Sequence, residues 1–326
     1  MATTYETSNA ASKAERLRAL ADESRHLAVV AIDHRGALST PLARAAGREV
    51  GAQDLIAFKS AVVRILSPDC SAMLLDPEYG MTAAAGRTAG CGLLLAYEKS
   101  GYDNTRPGRR PDLIATCSAA GLRRAGAQAV KILLHYSELE AAAVNEEKTA
   151  FIERVGAECW AEGMPFLLEI ITYDASGAMA PAEFAQQRPG LIGAAVAEFA
   201  QPRYRVDVLK LELPVAANLV PWGREESLRR THDALAGARQ PIVFLSGGVG
   251  IGEFIAGLEL AAAAGVAFHG ALCGRAVWNG GIAAYGEAGG GPGAEARLVR
   301  WLEQEGRANL AQVRACLARH AAPLPA

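Results

Sequence analysis

The sequence predicts a single-domain (β/α)8 barrel over residues 1–326, because eight short apolar runs alternate with helical stretches and polar residues gather at the runs' carboxyl ends. The runs are LAVVAID (27–33), AMLLDP (72–77), GLLLAYE (92–98), AVKILLHY (129–136), PFLLEIIT (165–172), DVLKLELP (207–214), IVFLSGG (242–248) and VAFHGALCG (266–274). Near-continuous apolar runs of this length mark parallel strands buried on both faces. Between them, EEKTAFIERVGAECWAEG (146–163) sets Phe151, Ile152, Val155 and Cys159 on one helical face before a Gly stop. GEFIAGLELAAAAG (252–265) repeats the arrangement, with Gly265 as terminator. Strand and helix repeated eight times fit a closed barrel or a large doubly wound sheet, and the count favours the barrel. Asp33, Asp76, Glu98, Lys131, Glu169, Lys210 and Ser246 lie at or near the ends of different runs. In a barrel those ends converge on one face, where the loops build a site. The turn after the first run, DHRGAL, lacks the G-x-G-x-x-G of a nucleotide-binding sheet. Residues 1–12 read as a loose or helical extension, and GEAGGGPGAEA (286–296) as a loop before the last helix or a lid.

Composition narrows the function. Lys and Arg total 33 against 35 Asp and Glu, a net charge of -2, so the chain lacks the basic surplus that phosphate neutralisation needs. Nucleic acid is therefore not the expected partner. Hydrophobic residues at 51% exclude a disordered chain. No apolar run reaches the roughly 18 residues that span a bilayer. The polar start has no signal-peptide core, so the expected location is the cytoplasm. Cys70, Cys91, Cys117, Cys159, Cys273 and Cys316 form no C-x-x-C pair and read as reduced thiols. The six histidines show no metal-ligand spacing, so neither metal nor cofactor is expected.

Lys210 is the most informative residue. Strand alternation puts Val208, Lys210 and Glu212 on one face of VDVLKLELP, and Leu209, Leu211 and Leu213 on the other. A lysine inside a buried strand is paired or neutral. Burial and nearby cations favour the neutral amine, a nucleophile able to form a Schiff base with a carbonyl. The plainer reading is an ion pair with Glu169 or Glu212. Lys131 is a second strand lysine, able to repel charge from Lys210, to hold a substrate oxygen or phosphate, or to sit in a buried salt bridge. Glu169 is expected as a general acid–base group with a raised pKa, as a lysine counter-ion, or as both. Asp33 either orients a lysine or hydroxyl, or caps the following turn. Asp76, Pro77, Glu78 and Tyr79, like Glu98, Lys99, Tyr102 and Asp103, line a pocket mouth or are solvated loop residues. The late turns LSGGVG (245–250) and LCGRAVW (272–278) suit a phosphate, with Arg275 adding a fork of donors.

Taken together, DHRGAL (33–38), LLLAYEKSGYD (93–103), QAVKILLHY (128–136), NEEKTAFIERVGAEC (145–159), PFLLEIITYD (165–174), VDVLKLELPV (206–215), FLSGGV (244–249) and LCGRAVW (272–278) resemble the class I tagatose 1,6-bisphosphate aldolase family of the bacterial tagatose-6-phosphate pathway. The resemblance covers about residues 14 to 316. It implies a Schiff-base lysine at Lys210, an acid–base glutamate at Glu169, and supporting Lys131 and Asp33. It implies substrate contacts at His34 and Arg35 and phosphate binding at Ser246, Gly247, Gly248, Gly274 and Arg275. It also implies a homodimer and a small sugar phosphate as partner. The implied reaction is retro-aldol cleavage of a ketohexose 1,6-bisphosphate to dihydroxyacetone phosphate and glyceraldehyde 3-phosphate. Where the family reads Asp-Gln-Arg, this chain reads Asp33-His34-Arg35, so His34 is expected to alter substrate preference or to titrate near neutral pH. The stretch from Gly286 to Gly293 reads as an insertion. Two alternatives stand beside this reading: cleavage of 6-deoxy-6-sulfofructose 1-phosphate, and a non-catalytic metabolite sensor.

Overall fold

The computed structural model describes residues 4–102, 105–287 and 292–325. Helix α1 (Thr4–Arg18) leads to β1 (Leu27–Ala31), α2 (Gly36–Ala46) and α3 (Ala52–Leu66). Then come β2 (Ala72–Leu75), the single turn α4 (Met81–Ala84), β3 (Gly92–Ala96), α5 (Ala119–Arg124) and β4 (Ala129–Tyr136). The middle of the chain forms α6 (Ala142–Ala161), β5 (Phe166–Thr172), α7 (Pro181–Phe199), β6 (Val208–Leu211) and α8 (Arg224–Leu235). Next are β7 (Ile242–Leu245), α9 (Ile251–Ala263) and β8 (Gly270–Cys273), followed by α10 (Arg275–Trp278), α11 (Gly281–Gly286), α12 (Pro292–Trp301) and α13 (Arg307–His320). The eight strands pair in chain order, all parallel, and β8 pairs back to β1, so the fold is a closed (β/α)8 barrel.

Alternation explains the two apolar layers. Inward positions such as Val29, Ala72, Leu94, Ala129, Leu167, Val208, Val243 and Leu272 fill the barrel, which Leu20 and Leu324 close at its amino end. Outward positions such as Val30, Ile132, Leu168, Leu209 and Leu211 pack with the helices. Ile152, Val155 and Cys159 of α6 are buried, as their spacing predicts, and Phe151 packs beside them. Gly163 and Gly265 adopt left-handed φ values of 59° and 76° at the expected helix stops. The last run is shorter as a strand than as a sequence pattern. Val266 donates its N–H to the carbonyl of Ala261 (3.1 Å), which completes the end of α9, and pairing with β1 starts at Gly270.

From Thr4 onward the N-terminal segment belongs to α1, where Asn9 donates to the Trp160 carbonyl (3.0 Å) and Lys13 pairs with Asp207 (2.7 Å). Residues 1–3 lie outside the described residues, as do Asp103 and residues 288–291 of the Gly-rich stretch. Gly286 ends α11, and Pro292 begins α12. Among the described residues, no helix is long and apolar enough to cross a membrane.

Candidate active site

Towards the carboxyl end, the inward positions change from apolar to charged. On β1 the series is Val29, Ala31, Asp33; on β4 it is Ala129, Lys131; on β5, Leu167, Glu169; on β6, Val208, Lys210. Equal parity along a strand means one face, so all four charged side chains enter the barrel mouth. The register sets Glu169 beside Lys210 and Lys131 beside Leu167, two residues deeper on β5.

The contacts form one connected network. Lys210 Nζ lies 2.9 Å from Glu169 Oε1, and Lys131 Nζ lies 2.7 Å from Glu169 Oε2. Lys131 also meets Asp33 Oδ2 and Glu98 Oε1, each at 2.8 Å. All five side chains are buried, at the floor of a cavity of about 380 Å³ that His34, Ser246, Gly248 and Arg275 also line. Burial would neutralise Lys131, but Asp33, Glu169 and Glu98 outweigh it and raise its pKa well above the ordinary lysine value. Burial would raise the Asp33 carboxyl, yet Lys131, His34 and Lys210 hold it far below the carboxylate range. Glu169 corrects the expectation of a raised pKa. Burial pushes that way, but Lys131 and Lys210 outweigh it, so its pKa is lowered and the group is an ionised base. The Lys210 ion-pair partner is Glu169; Glu212 instead accepts from the N–H (2.7 Å) and hydroxyl (2.8 Å) of Thr172.

The late turns meet at the same cavity. Gly247 and Gly248 have φ of 58° and 91°, in the left-handed region. A Cβ on Gly248 would sit 2.9 Å from Arg275 Cζ, so this glycine lets the guanidinium lie against the turn. Gly274 is close to His34, whose Cε1 would be 2.9 Å from an added Cβ. Arg35 lines the cavity, but its guanidinium is engaged by the Glu98 carbonyl (2.9 Å) and Glu78 Oε2 (3.0 Å).

His34 departs from expectation. Its ring meets Trp278 edge-on at 5.2 Å, and burial lowers its pKa to about 4, so it is neutral at neutral pH. The sign of the consequence follows directly. Between pH 6.5 and about 4 the unfolded chain binds a proton that the folded chain refuses, so stability falls as pH falls, by up to about 3 kcal/mol from this group. His34→Gln should flatten the pH dependence of the urea-unfolding free energy over that window by about one proton. An unchanged slope would show that His34 titrates as in water.

Four features go beyond the sequence reading. Glu98, grouped with mouth or loop residues, is buried and bonded to Lys131. Lys59, on the inner face of α3, is fully buried, pairs with Asp76, and donates to the carbonyls of Ile32 (2.7 Å) and His34 (2.9 Å). It thereby fixes the end of β1 that carries Asp33. Its signal was a lysine amid Leu55, Phe58 and Val62 on an apolar helical stripe. Tyr102 lines the cavity as one reading of its segment has it, but the sequence does not single out His135 beside it or the Arg109 guanidinium over the rings of Tyr102 (5.2 Å) and Tyr173 (4.4 Å). Away from the cavity, Glu259, Cys316 and His320 bring ligand-type atoms within 4.8 Å of one another, a convergence that histidine spacing alone did not reveal; Arg319 already engages Glu259 at 3.3 Å.

A barrel whose mouth holds paired lysines and carboxylates above an apolar barrel core, beside an arginine-flanked glycine turn, has the makings of an enzyme for anionic carbonyl compounds. The chain belongs to the DeoC/LacD aldolase family, whose sequence profile matches residues 27–280. It is 44% identical over 309 residues to tagatose 1,6-diphosphate aldolase 1 of Enterococcus faecalis, covering 92% of this chain and 93% of that protein. It is 41% identical over 323 residues to the tagatose 1,6-diphosphate aldolase of Listeria monocytogenes serotype 4a, covering 95% and 93%. Among solved structures, fructose-bisphosphate aldolase from Plasmodium falciparum matches with a TM-score of 0.68 at 14% identity, over 94% of this chain and 95% of that one, a likeness of fold.

Proposed function

We propose that the protein is a class I aldolase that cleaves a ketohexose 1,6-bisphosphate of the tagatose type into dihydroxyacetone phosphate and glyceraldehyde 3-phosphate. The observation that carries this reading is the 2.9 Å contact of Lys210 Nζ with Glu169 Oε1 in a cavity sized for a small ligand. The names of the relatives at 38–44% identity support the substrate class.

The chemistry follows from the positions. Lys210 passes a proton to Glu169, 2.9 Å away, and the resulting amine attacks C2 of the open-chain ketose; Glu169 returns the proton to the carbinolamine hydroxyl, which leaves as water and gives an iminium. Glu169, ionised between the two lysines, takes the proton of the C4 hydroxyl. The C3–C4 bond then breaks, and its electron pair is held as an enamine on Lys210. Glyceraldehyde 3-phosphate leaves, the enamine carbon is protonated, and water releases dihydroxyacetone phosphate. Lys131, kept cationic by three carboxylates that take its three N–H donors, holds Glu169 and Asp33 in place to meet the substrate hydroxyls. Ser246, Gly247, Gly248 and Arg275 take one phosphate, so that its binding positions the reacting carbons. His34 faces the substrate as a neutral imidazole. None of these steps calls on a metal or a cofactor.

Two measurements check the reading. A coupled assay for dihydroxyacetone phosphate should show cleavage of tagatose 1,6-bisphosphate that a chelator leaves unchanged. Loss of activity with chelator and its return with a divalent ion would replace this mechanism with a metal-assisted one. Arg275→Ala should raise KM by roughly 10- to 100-fold, the worth of one charge-assisted phosphate contact, with a smaller change in kcat. An unchanged KM would place the phosphate elsewhere.

A further inference from the structure

At the opposite end of the barrel, Cys70 and Cys91 precede β2 and β3. Their Sγ atoms are 3.8 Å apart, and Met73 Sδ lies 3.5 Å from Cys70 Sγ. The backbones are tied together at this point. The residues that follow the two cysteines are bonded to each other, Gly92 N–H to the Ser71 carbonyl at 3.0 Å, and the ladder continues with Ala72 opposite Gly92. In this register Cys91 stands opposite Ser71, so Cys70 is its diagonal neighbour across strands about 4.8 Å apart, a separation of roughly 6 Å that suits the Cα spacing of a disulfide. Cys91 is buried, but it lines a cavity of about 630 Å³ with Arg87, Thr88 and Gln128, the side from which a small reagent would approach, and Cys70 is half-buried.

We propose that Cys70 and Cys91 form a dithiol modification site that a low-molecular-weight disulfide of the glutathione class oxidises to an intramolecular disulfide. The thiolate of Cys91 attacks one sulfur of the reagent, making a mixed disulfide and releasing one thiolate. Cys70 then gives up its proton and attacks Cys91 Sγ, which expels the second reagent thiolate. Two protein thiols lose two electrons and two protons, and the reagent disulfide becomes two thiols. The surroundings support this order. The hydrogen bond between the two thiols, with the nearby Arg87, lowers the Cys91 pKa, whereas that hydrogen bond, together with burial, raises the Cys70 pKa. Arg87 Nε is held on the Cys91 carbonyl at 3.1 Å. The site is separate from the proposed reaction and does not depend on it.

The test uses the full chain with oxidised glutathione as the probe. After acid quench, the protein is unfolded, its remaining thiols are alkylated, and peptides are mapped by mass spectrometry. The expected result is a peptide pair joined through residues 70 and 91, with two of the six thiols lost to alkylation. Cys70→Ser should stop the reaction at glutathione retained on Cys91, and Cys91→Ser should abolish the linked pair. Full alkylation of both cysteines in the wild type, a mixed disulfide that never closes, or a bond to a different cysteine would each overturn the proposal. The wild-type map stands even where a variant folds poorly.

Discussion

Lys210→Ala should lower kcat for bisphosphate cleavage by roughly 10⁵-fold, the scale seen when a covalent nucleophile is removed. No neighbour can take its place. Lys131 is two residues deeper in register and is held by Asp33, Glu98 and Glu169 at 2.7–2.8 Å. The fold should survive, because Glu169 keeps Lys131 as a partner once Lys210 is gone. A melting temperature within a few degrees of wild type, together with lost turnover, separates a chemical role from a structural one. Turnover within tenfold of wild type would refute covalent catalysis at this position.

Lys131→Met should show the reverse balance, a large loss of stability along with lost activity. Methionine matches the length of the lysine stem but leaves Asp33, Glu98 and Glu169 buried without their shared cation. Removing one partner of a buried ion pair costs about 3–5 kcal/mol, and here three carboxylates lose one cation. The variant's pH response gives a second reading. In the wild type, lysine contacts lower the pKa values of Asp33 and Glu169 below their unfolded values, so the stability these groups contribute is present above that range and is lost as pH falls through the folded values. In the variant those carboxyls, stripped of the cation and repelling one another, should have folded pKa values above the unfolded ones, so acid relieves the strain. The urea-unfolding gap between wild type and variant should therefore narrow as pH falls from 7 towards 5. A constant gap over that range would show that Lys131 stabilises through packing of its stem instead.

Much of this was readable in the chain because β-strand alternation is strict. Once VDVLKLELP is a buried strand, Lys210 shares a face with Val208, and the same parity places Lys131 and Glu169 in the barrel mouth. What alternation does not give is which charges pair across strands. That depends on register, and register placed Glu169 rather than Glu212 beside Lys210. The sequence places Glu98 at a run's end and at the pocket mouth, but its burial and its bond to Lys131 are not legible there, because it follows the end of β3, where strand periodicity stops. Its burial comes from Lys131 on the neighbouring strand, a long-range contact. Lys59 escaped because a helical lysine is commonly solvated; only the packing of α3 on β1 and β2 turns it inward. For Glu169 the counter-ion reading is legible and holds, whereas the raised pKa does not, because the balance between burial and two cations at 2.7 and 2.9 Å is a property of the assembled barrel.

The most direct test of the account is to trap the intermediate. Wild-type protein is incubated with dihydroxyacetone phosphate, reduced with borohydride and digested, and the modified peptide is sequenced by mass spectrometry. The account predicts one reduced adduct, on Lys210, with Lys131 unmodified. An adduct on any other lysine, or active enzyme that yields none, would contradict it.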